Sequence, residues 1–280
     1  MTATETAARA GAYSLGHTPQ EYERLRAQAR VWEDATRRVF DRVDVPRGAS
    51  CLDAGCGPGE TMRMLSDRVG AEGRVVGMDA DTSIGILAVE MLHRTGHRQC
   101  AFRTHDLTAD QPVPGAPFDL VYARLLLFHL PQRVAVLSRL WDAVAPGGRL
   151  IVQDYDLRTA SVLPGLDSFV EVGRVIFGAF GAAGADISVG ARLTRLFEQA
   201  GAGTPAGTDV TGRIEPLGTG SVMFASVFRS LLPTALAHGI TTGEAAAATL
   251  AAFGHDAARF ADRPMTGPLM IGAWKRKELA

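Results

Sequence analysis

The sequence predicts an α/β fold built on a doubly wound parallel sheet, and two observations support this prediction. After Pro46, short apolar runs alternate with helical stretches, a pattern typical of crossover units that cover both faces of a parallel sheet. The first apolar run ends in the glycine-rich stretch CLDAGCGPGE, residues 51–60. In an open parallel sheet the first strand-to-helix loop is a usual ligand contact, so this stretch is the first candidate for a functional site.

The N-terminal segment differs from the rest of the chain. Residues 1–12 are small and polar, whereas apolar residues recur at helical spacing between about Pro19 and Val43. Gln28 lies on that apolar stripe. A polar amide at such a position is either a satisfied buried group or a ligand contact.

The elements after Pro46 follow the alternation. Core strands are predicted at residues 49–54, 74–79, 100–105, 118–123 and 148–154, with helices at 58–69, 82–95 and 131–144. Beyond Tyr155 we expect helices at 162–183, 189–200 and two within 219–260, and strands near 206–214 and over PLMIGAWK, residues 268–275. The region 160–235 is rich in Phe, Val, Gly and Met. It is interpreted as an apolar lid over a small, partly hydrophobic ligand; alternatively, it only completes the core.

Composition and charge limit the function. A chain of 280 residues with 46% hydrophobic and 21% charged residues can bury a sizeable core, as one enlarged domain or one domain with a small cap. Lys plus Arg (29) and Asp plus Glu (30) nearly cancel, so no overall field attracts nucleic acid or an anionic membrane. The cysteines form no CxxC pair, the N-terminus has no secretory signal pattern, and no window approaches roughly 18 uninterrupted apolar residues. We therefore expect a soluble cytoplasmic protein with no nucleic-acid or membrane partner.

The spacing of the glycines narrows the ligand of the loop. A triphosphate loop is excluded because no lysine follows Gly59. A dinucleotide loop needs a third glycine at position 60, which is Glu60 here, and this acid would compete with a pyrophosphate for the positive end of the helix dipole. Asp79 stands twenty residues after Gly59, at the end of the second strand, where a carboxylate accepts hydrogen bonds from ribose hydroxyls. The loop therefore predicts a ligand with a ribose and without phosphates.

Five ordered motifs carry a family resemblance. LDAGCGPGE, VVGMDAD, THDL, FDLVYARLLLFHL and PGGRLIVQDY resemble the successive motifs of class I S-adenosylmethionine-dependent methyltransferases, over roughly residues 45–155. The flanks YSLGHTPQEYERLRAQA and GPLMIGAWKR resemble a bacterial branch that acts on small molecules. The resemblance implies a Rossmann-like seven-stranded sheet of order 3-2-1-4-5-7-6 with an antiparallel last strand, an N-terminal helix and a helical lid insertion. It divides the chain into an N-terminal segment closing over the cofactor (1–44), a cofactor-binding core (45–157), and the acceptor lid with the C-terminal half of the same domain (158–280).

The same resemblance implies S-adenosylmethionine as the cofactor, with S-adenosylhomocysteine as its product. The residues that it assigns to cofactor binding are Tyr13, Gln28, Asp53, Gly55, Gly57, Asp79, Ala80, Asp106, Leu107, Ala123 and Arg124. Among these, Asp79 would hold the ribose, Asp106 the adenine amino group, and Arg124 would face the sulfonium. Taken singly, Asp79 is also compatible with a helix cap, Asp106 with a turn, and Arg124 with a partner for an acid on a neighbouring loop; the two acids together with the glycine loop favour the ligand roles.

Two residues are candidates for catalysis. A sulfonium methyl is already activated, so the protein mainly needs to hold a nucleophile close and partly desolvated. A general base would help a phenol, a carboxylic acid or a protonated amine, and His129 in FHLPQ is predicted as base or acceptor-orienting residue, with a structural role as the alternative. Tyr13 is the second candidate, by resemblance to N-methyltransferases in which an N-terminal tyrosine closes over the cofactor and pairs with such a histidine.

The remaining polar motifs predict no metal. His93 and His97 have ligand spacing on a helix, but no third ligand follows. Asp154 and Asp156 are expected either to face the acceptor pocket or to cap a loop. The [ND]PP[YF] motif of nucleobase amino methylation is absent.

The sequence thus predicts a methyltransferase for an O, N or C nucleophile of a small, partly apolar molecule, in secondary metabolism such as antibiotic biosynthesis. One alternative is a cofactor-binding member that catalyses a non-methylating reaction such as cyclisation. Another is a protein or RNA methyltransferase. A swapped N-terminal helix would allow a homodimer.

Overall fold

The computed structural model describes the backbone of residues 19–279 and the side chains of residues 24–279. Tyr13 lies outside the described residues. The strands are β1 (Ser50–Ala54), β2 (Arg74–Asp79), β3 (Cys100–Thr104), β4 (Phe118–Arg124), β5 (Val144–Asp156), β6 (Ser161–Val162), β7 (Gly207–Thr211), β8 (Ile214–Pro216), β9 (Pro264–Thr266) and β10 (Leu269–Arg276). The α-helices are α1 (Pro19–Val31), α2 (Glu33–Val43), α3 (Glu60–Val69), α4 (Thr82–Arg94), α5 (Arg133–Asp142), α6 (Asp167–Ala182), α7 (Leu193–Gln199), α8 (Leu217–Ala237) and α9 (Gly243–Arg259).

Seven strands form one sheet in the order β3-β2-β1-β4-β5-β10-β7. The first five are parallel, and β10 runs antiparallel to both β5 and β7. Since β7 and β10 are the sixth and seventh strands of this sheet along the chain, the predicted order 3-2-1-4-5-7-6 with an antiparallel last strand is confirmed. The central strands are buried on both faces, as crossover units require: Leu52, Leu120 and Val121 are fully buried.

A second, three-stranded sheet in the order β6-β9-β8 was not predicted. Its strands contain two or three residues each, too few to leave an alternating pattern in the sequence. The strand predicted near 206–214 is divided between the two sheets, because β7 ends at Thr211 and β8 begins at Ile214.

The predicted N-terminal helix is two helices. The chain leaves α-helical geometry at Trp32, whose φ and ψ are −104° and 9°, and resumes it at Glu33. Beyond the break, α2 buries Thr36, Val39, Phe40 and Val43 at helical spacing, and its apolar residues pack in one cluster with strand residues. Residues of α1, on the other side of the break, line the cavity described below.

The C-terminal half adds a helical layer. Helix α6 packs against α8 and α9, and the contact buries Val172, Val175 and Phe228. By length and composition alone, α8 would be long enough and apolar enough to cross a membrane, and it is the single such helix within residues 19–279. One face of α8 packs on α6, and other residues of the same helix line the cavity described next.

Candidate functional site

A cavity of about 1570 Å³ opens at the carboxyl ends of the parallel strands. Its wall takes Asp53 from β1, Asp79 from β2, Arg124 from β4 and Tyr155 from β5. Helix α1 covers it, and α6 and α8 form the opposite side. Ordinary small-molecule pockets measure roughly 300–1,000 Å³, so this cavity has room for two ligands side by side.

The structure brings most of the predicted site residues to this cavity. Those that line it are Gln28, Asp53, Gly55, Gly57, Asp79, Ala80, Asp106, Leu107, Arg124 and His129. Ala123 does not line it, because its side chain points into the hydrophobic core and is fully buried.

The glycine loop leaves an open space beside its backbone. The amides of Gly55 and Cys56 donate to the carbonyl of Met78, which ties the loop to the end of β2. Gly57 has a φ of +47°, and a Cβ placed there would meet no atom within 4 Å. At Gly59, by contrast, a Cβ would lie 2.9 Å from the Cβ of Ala88. Gly59 therefore permits close helix packing, whereas Gly57 exposes backbone to the cavity.

Asp53 contributes a buried carboxylate to the cavity wall. Its side chain is 2% exposed, and Oδ2 has no hydrogen-bond partner among the described residues. Burial raises the pKa of Asp53 to about 7, against the lowering effect of the Arg124 guanidinium, and the neighbouring Asp79 raises it further. A buried acceptor without a donor costs about 1–3 kcal/mol, so this oxygen suits a ligand with a positive N–H group.

The acids after β2 take separate roles. Asp79 accepts from the amide of Gly57 through Oδ2 and from the amide of Asp81 through Oδ1, both at 3.0 Å. Burial raises the pKa of Asp79, although these two amides act in the opposite direction. Asp81, not Asp79, caps α4, because its Oδ1 accepts from the amides of Ser83 and Ile84. Each oxygen of Asp79 thus keeps a lone pair for a ligand.

Asp106 forms the turn that was the alternative considered for it. Its Oδ1 accepts from the amide and the hydroxyl of Thr108, at 2.8 and 2.6 Å, which is the geometry of a turn. The residue also lines the cavity.

Arg124 points from the end of β4 towards the N-terminal helices. Its Nη1 donates to Thr36 Oγ1 at 3.0 Å and to the carbonyl of Ala29 at 3.5 Å. The next residue, Leu125, has a φ of 54°, a left-handed conformation that costs about 1 kcal/mol or more for a side chain of this size. The chain therefore turns sharply where β4 meets the cavity.

His129 is held on a short 3₁₀ turn, Leu127–His129. The buried carboxylate of Asp154 fixes this turn, since its Oδ2 accepts from the amide of Phe128 at 3.0 Å. The His129 ring packs edge-on against Phe128, with 4.9 Å between centroids, and lies near Phe180. Burial, together with the positive charge of Arg24, lowers the pKa of His129 to about 4, so the imidazole is neutral at neutral pH.

The two acids at the end of β5, Asp154 and Asp156, hold loops and do not line the cavity. Asp154 is fully buried, and burial raises its pKa to about 7. Asp156 starts the 3₁₀ turn Leu157–Thr159 and accepts from the amide and the guanidinium of Arg158. Of the two roles expected for these acids, the structure shows loop capping.

His93, near the end of α4, and His97, in the turn after it, take protein partners. His93 Nε2 lies 2.8 Å from the carbonyl of Cys100, and His97 Nδ1 lies 3.0 Å from Ser66 Oγ. Within the described part of the chain, no group of three His, Cys, Asp or Glu side chains is arranged to hold a metal ion.

Sequence reasoning missed two buried aromatic residues at the site. The Tyr155 hydroxyl receives hydrogen bonds from Trp32 Nε1 and Gln28 Nε2. All three residues line the cavity. The bonds link positions more than 120 residues apart, and a bulky aromatic residue in an apolar run carries no local signal of such a role.

It also missed the ion pairs that tie α1 to the glycine-loop helix. Glu60, 7% exposed, accepts from Arg26 Nε at 3.2 Å and lies 3.6 Å from Arg30 Nε. A further pair, between Arg63 on α3 and Glu33 at 2.8 Å, ties α3 to the start of α2. The acid that distinguishes this loop from a dinucleotide loop is thus an anchor for α1.

Part of the sequence is similar to known methyltransferases. Residues 51–148 match the family model of a methyltransferase domain. The chain is 35% identical over 133 residues to a trans-aconitate 2-methyltransferase from Variovorax paradoxus (strain S110), a match that covers 46% of this chain and 49% of that protein. It is 30% identical over 139 residues to a phosphoethanolamine N-methyltransferase from Triticum aestivum, covering 48% of this chain and 26% of that protein. The chain thus spans about half the length, or less, of these curated relatives.

Solved structures share the fold. A candidate methyltransferase from Bacillus halodurans C-125 superposes with a TM-score of 0.58 at 15% identity, covering 86% of this chain and 97% of that one. The [4+2]-cyclase SpnF superposes with a TM-score of 0.51 at 20% identity, covering 88% and 82%. At these identities the likeness establishes the fold alone.

Proposed function

We propose that this chain, whose residues 51–148 are a methyltransferase domain of the class I S-adenosylmethionine-dependent type, transfers a methyl group to an O, N or C nucleophile of a small, partly apolar molecule. One observation carries the proposal. A single cavity runs from the glycine loop and Asp79 to the apolar faces of α6 and α8. It provides one space for a nucleoside cofactor and an adjoining space for an acceptor.

The residues on the strand side fit the cofactor. Asp53 Oδ2 is a buried acceptor without a protein donor, which suits the positive amino group of a methionine moiety. Gly57 leaves open space beside its backbone, and both oxygens of Asp79 have a lone pair to spare for ribose hydroxyls. When bound, S-adenosylmethionine supplies a methyl group already activated on a sulfonium.

The residues on the helical side fit a partly apolar acceptor. They are mostly aliphatic and aromatic and come from α6 and α8: Ile176, Phe177, Phe180, Val222, Met223, Phe224 and Val227. Such a lining removes water from a nucleophile and strengthens its interaction with a cationic centre. We extend the proposal to a product of secondary metabolism as the acceptor.

His129 lines the cavity, lies near Phe180 and is neutral at neutral pH. With a pKa of about 4 the imidazole is a weak base, so its role is to accept a hydrogen bond from the acceptor and orient it. An acceptor that binds as an anion, or with a free lone pair, needs no more from the protein than position and desolvation.

The proposal is tested in two steps. Calorimetry with S-adenosylhomocysteine measures cofactor binding, and incubation with methyl-labelled cofactor measures transfer to phenols, amines, carboxylic acids and keto acids. The acceptors named for the relatives, trans-aconitate and phosphoethanolamine, belong in this panel. Absence of S-adenosylhomocysteine binding would overturn the cofactor assignment. Binding without transfer to any acceptor class would favour a non-methylating reaction.

A further inference from the structure

Tyr155 lines the cavity beside Gln28 and Trp32, which both bond to its hydroxyl. Tyr155 is the penultimate residue of β5, is 7% exposed, and contributes to the cavity wall. Its ring packs edge-on against Trp32 at 5.6 Å and faces Phe128 at 6.5 Å. The ring is therefore fixed, and so is the position of its oxygen.

The hydrogen-bond directions around this oxygen are determined by chemistry. Arg24 Nη1 donates to Gln28 Oε1 at 3.0 Å, and a guanidinium can only donate. The amide oxygen of Gln28 must therefore face Arg24, which turns its Nε2 towards Tyr155 at 3.1 Å. The Tyr155 oxygen accepts this bond.

Trp32 completes the arrangement. Its indole N–H is a donor only, and it also bonds to the Tyr155 oxygen. A phenol oxygen has two lone pairs and one hydrogen, so both lone pairs are now engaged. No acceptor for the hydrogen lies within bonding distance among residues 24–279, and Tyr155 is one of the residues that line the cavity. The hydrogen is thus left to a ligand.

The surroundings of Tyr155 favour a negative partner. Burial raises the pKa of Tyr155, outweighing the hydrogen bonds from Gln28 and Trp32 and the charges of Arg124 and Arg24, so the phenol keeps its hydrogen at neutral pH. The same Arg24 charge acts on His129 across the cavity. A cationic ligand here would be repelled by the charges of Arg24 and Arg124, and it could not accept the hydrogen bond that the Tyr155 hydroxyl offers.

We infer that Tyr155 is a positioning residue that donates a hydrogen bond to an oxygen of the acceptor, and that the acceptor is a carboxylate or another oxygen anion, not an ammonium. This inference rests on the proposed function. It narrows that function to O-anionic acceptors and adds a residue that the motifs of the glycine-loop region do not contain. A site built to bond one oxygen rejects analogues without it, because the buried donor is then left unpaired.

The test uses three probes on one scaffold: 4-phenylbutanoate, 4-phenylbutanamide and 4-phenylbutylammonium, titrated into protein saturated with S-adenosylhomocysteine. In the wild type we expect the acid to bind about tenfold more tightly than the ammonium. Tyr155→Phe removes only the hydroxyl and should remove most of that preference. The affinity for S-adenosylhomocysteine, measured first, should stay within about threefold, because the hydroxyl serves the acceptor.

Two further variants distinguish the loss of one directed hydrogen bond from a general disturbance of the protein. Tyr122→Phe removes an equally buried hydroxyl that donates to Gln153 Oε1 at 2.7 Å away from the cavity, and it should leave all three probes unchanged. Gln28→Glu keeps the contact with Arg24 but replaces a donor to Tyr155 by an acceptor, so the phenol hydrogen turns away from the cavity. The neutral amide, which a new charge affects little, should then bind about threefold more weakly.

The outcomes divide clearly. If the wild type does not bind S-adenosylhomocysteine, the proposed function itself is overturned. Loss of that binding in Tyr155→Phe alone would assign the hydroxyl to the cofactor and overturn this inference. Three results would overturn the inference about Tyr155 and leave the methyltransferase proposal intact. The wild type could bind the ammonium as tightly as the acid, it could show no detectable binding of the acid, or Tyr155→Phe could leave the affinity for the acid unchanged.

Discussion

Asp79 Oδ2 accepts a hydrogen bond of 3.0 Å from the backbone amide of Gly57. The residue that ends β2 thereby fixes the loop that follows β1, since Gly57 is the central glycine of that loop. The second oxygen holds the amide of Asp81, at the entry to α4. One carboxylate therefore joins both loops that border the cavity and presents its remaining lone pairs between them.

Asp79→Asn should weaken S-adenosylhomocysteine binding by at least tenfold. The amide keeps the size of the side chain but replaces one acceptor oxygen by a donor, which faces a backbone N–H and can no longer accept from a ribose hydroxyl. Calorimetry measures the effect. Asp119→Asn is the matched control, because Asp119 also accepts a hydrogen bond from a backbone amide, that of Ser50, at the amino ends of β1 and β4. Equal affinity in the two variants would contradict the role of Asp79.

His129 should make stability depend on pH in a defined direction. Its folded pKa of about 4 lies below the ordinary value of 6.5, because burial and Arg24 disfavour the imidazolium. Between these values the unfolded chain binds the proton and the folded chain does not, so the free energy of unfolding rises with pH and reaches its full value above about 6.5. The contribution is at most about 3 kcal/mol.

Urea denaturation of the wild type and His129→Gln between pH 4.5 and 7.5 measures this contribution. The difference in unfolding free energy should grow with pH. Asp53 and Asp154 have raised pKa values, so they make the folded state lose stability as the pH rises from about 4 to about 7. Both proteins contain these acids, so their contribution cancels in the difference. A difference that stays constant over the range would show that His129 titrates normally.

The core strands and the glycine loop were predictable because their signals are local, whereas the order of the strands in the sheet was implied by the family resemblance alone. Alternating apolar runs mark the strands, and the GxGxG spacing marks a turn where Gly57 needs a positive φ. The same holds for Asp79, whose place at the end of a strand is legible in VVGMD. The choice between ligand residue and helix cap needed the structure, since it depends on Asp81 taking the cap.

The acceptor side was not predictable in the same way. The bond between Trp32 and Tyr155 joins positions 123 residues apart, and Trp32 stands at the break between α1 and α2. Apolar residues on α6 and α8 have the same spacing whether they line a cavity or complete a core. Phe180 and Phe224 both line the cavity, but Phe180 also belongs to the buried core.

Glu60→Gln should speed the release of S-adenosylhomocysteine. Glu60 joins α3 to Arg26 and Arg30 of α1, the helix that covers the cavity. Removing the charge weakens a partly buried ion cluster by about 1 kcal/mol, which corresponds to roughly fivefold in affinity, expressed mainly in the dissociation rate. Stopped-flow displacement measures it, and the salt dependence of release should fall.

Glu171→Gln is the control for that measurement. It removes an exposed pair with Arg174 on α6, of the same residue types and outside the cavity wall. Release from this variant should match the wild type. If Glu60→Gln also released the ligand at the wild-type rate, the ion pairs would hold α1 without affecting access to the cavity.

Gly57→Ala should abolish cofactor binding while the protein stays folded. Gly57 and Gly48 both have a positive φ, +47° and +77°, and at neither would a Cβ meet an atom within 4 Å. Alanine should therefore destabilise both positions alike, by about 1–2 kcal/mol of left-handed strain. They differ in that Gly57 borders the cavity, where its Cβ would occupy ligand space, and Gly48 does not. Calorimetry should show S-adenosylhomocysteine affinity reduced at least tenfold in Gly57→Ala alone, and equal affinities in the two variants would mean that the ligand lies elsewhere.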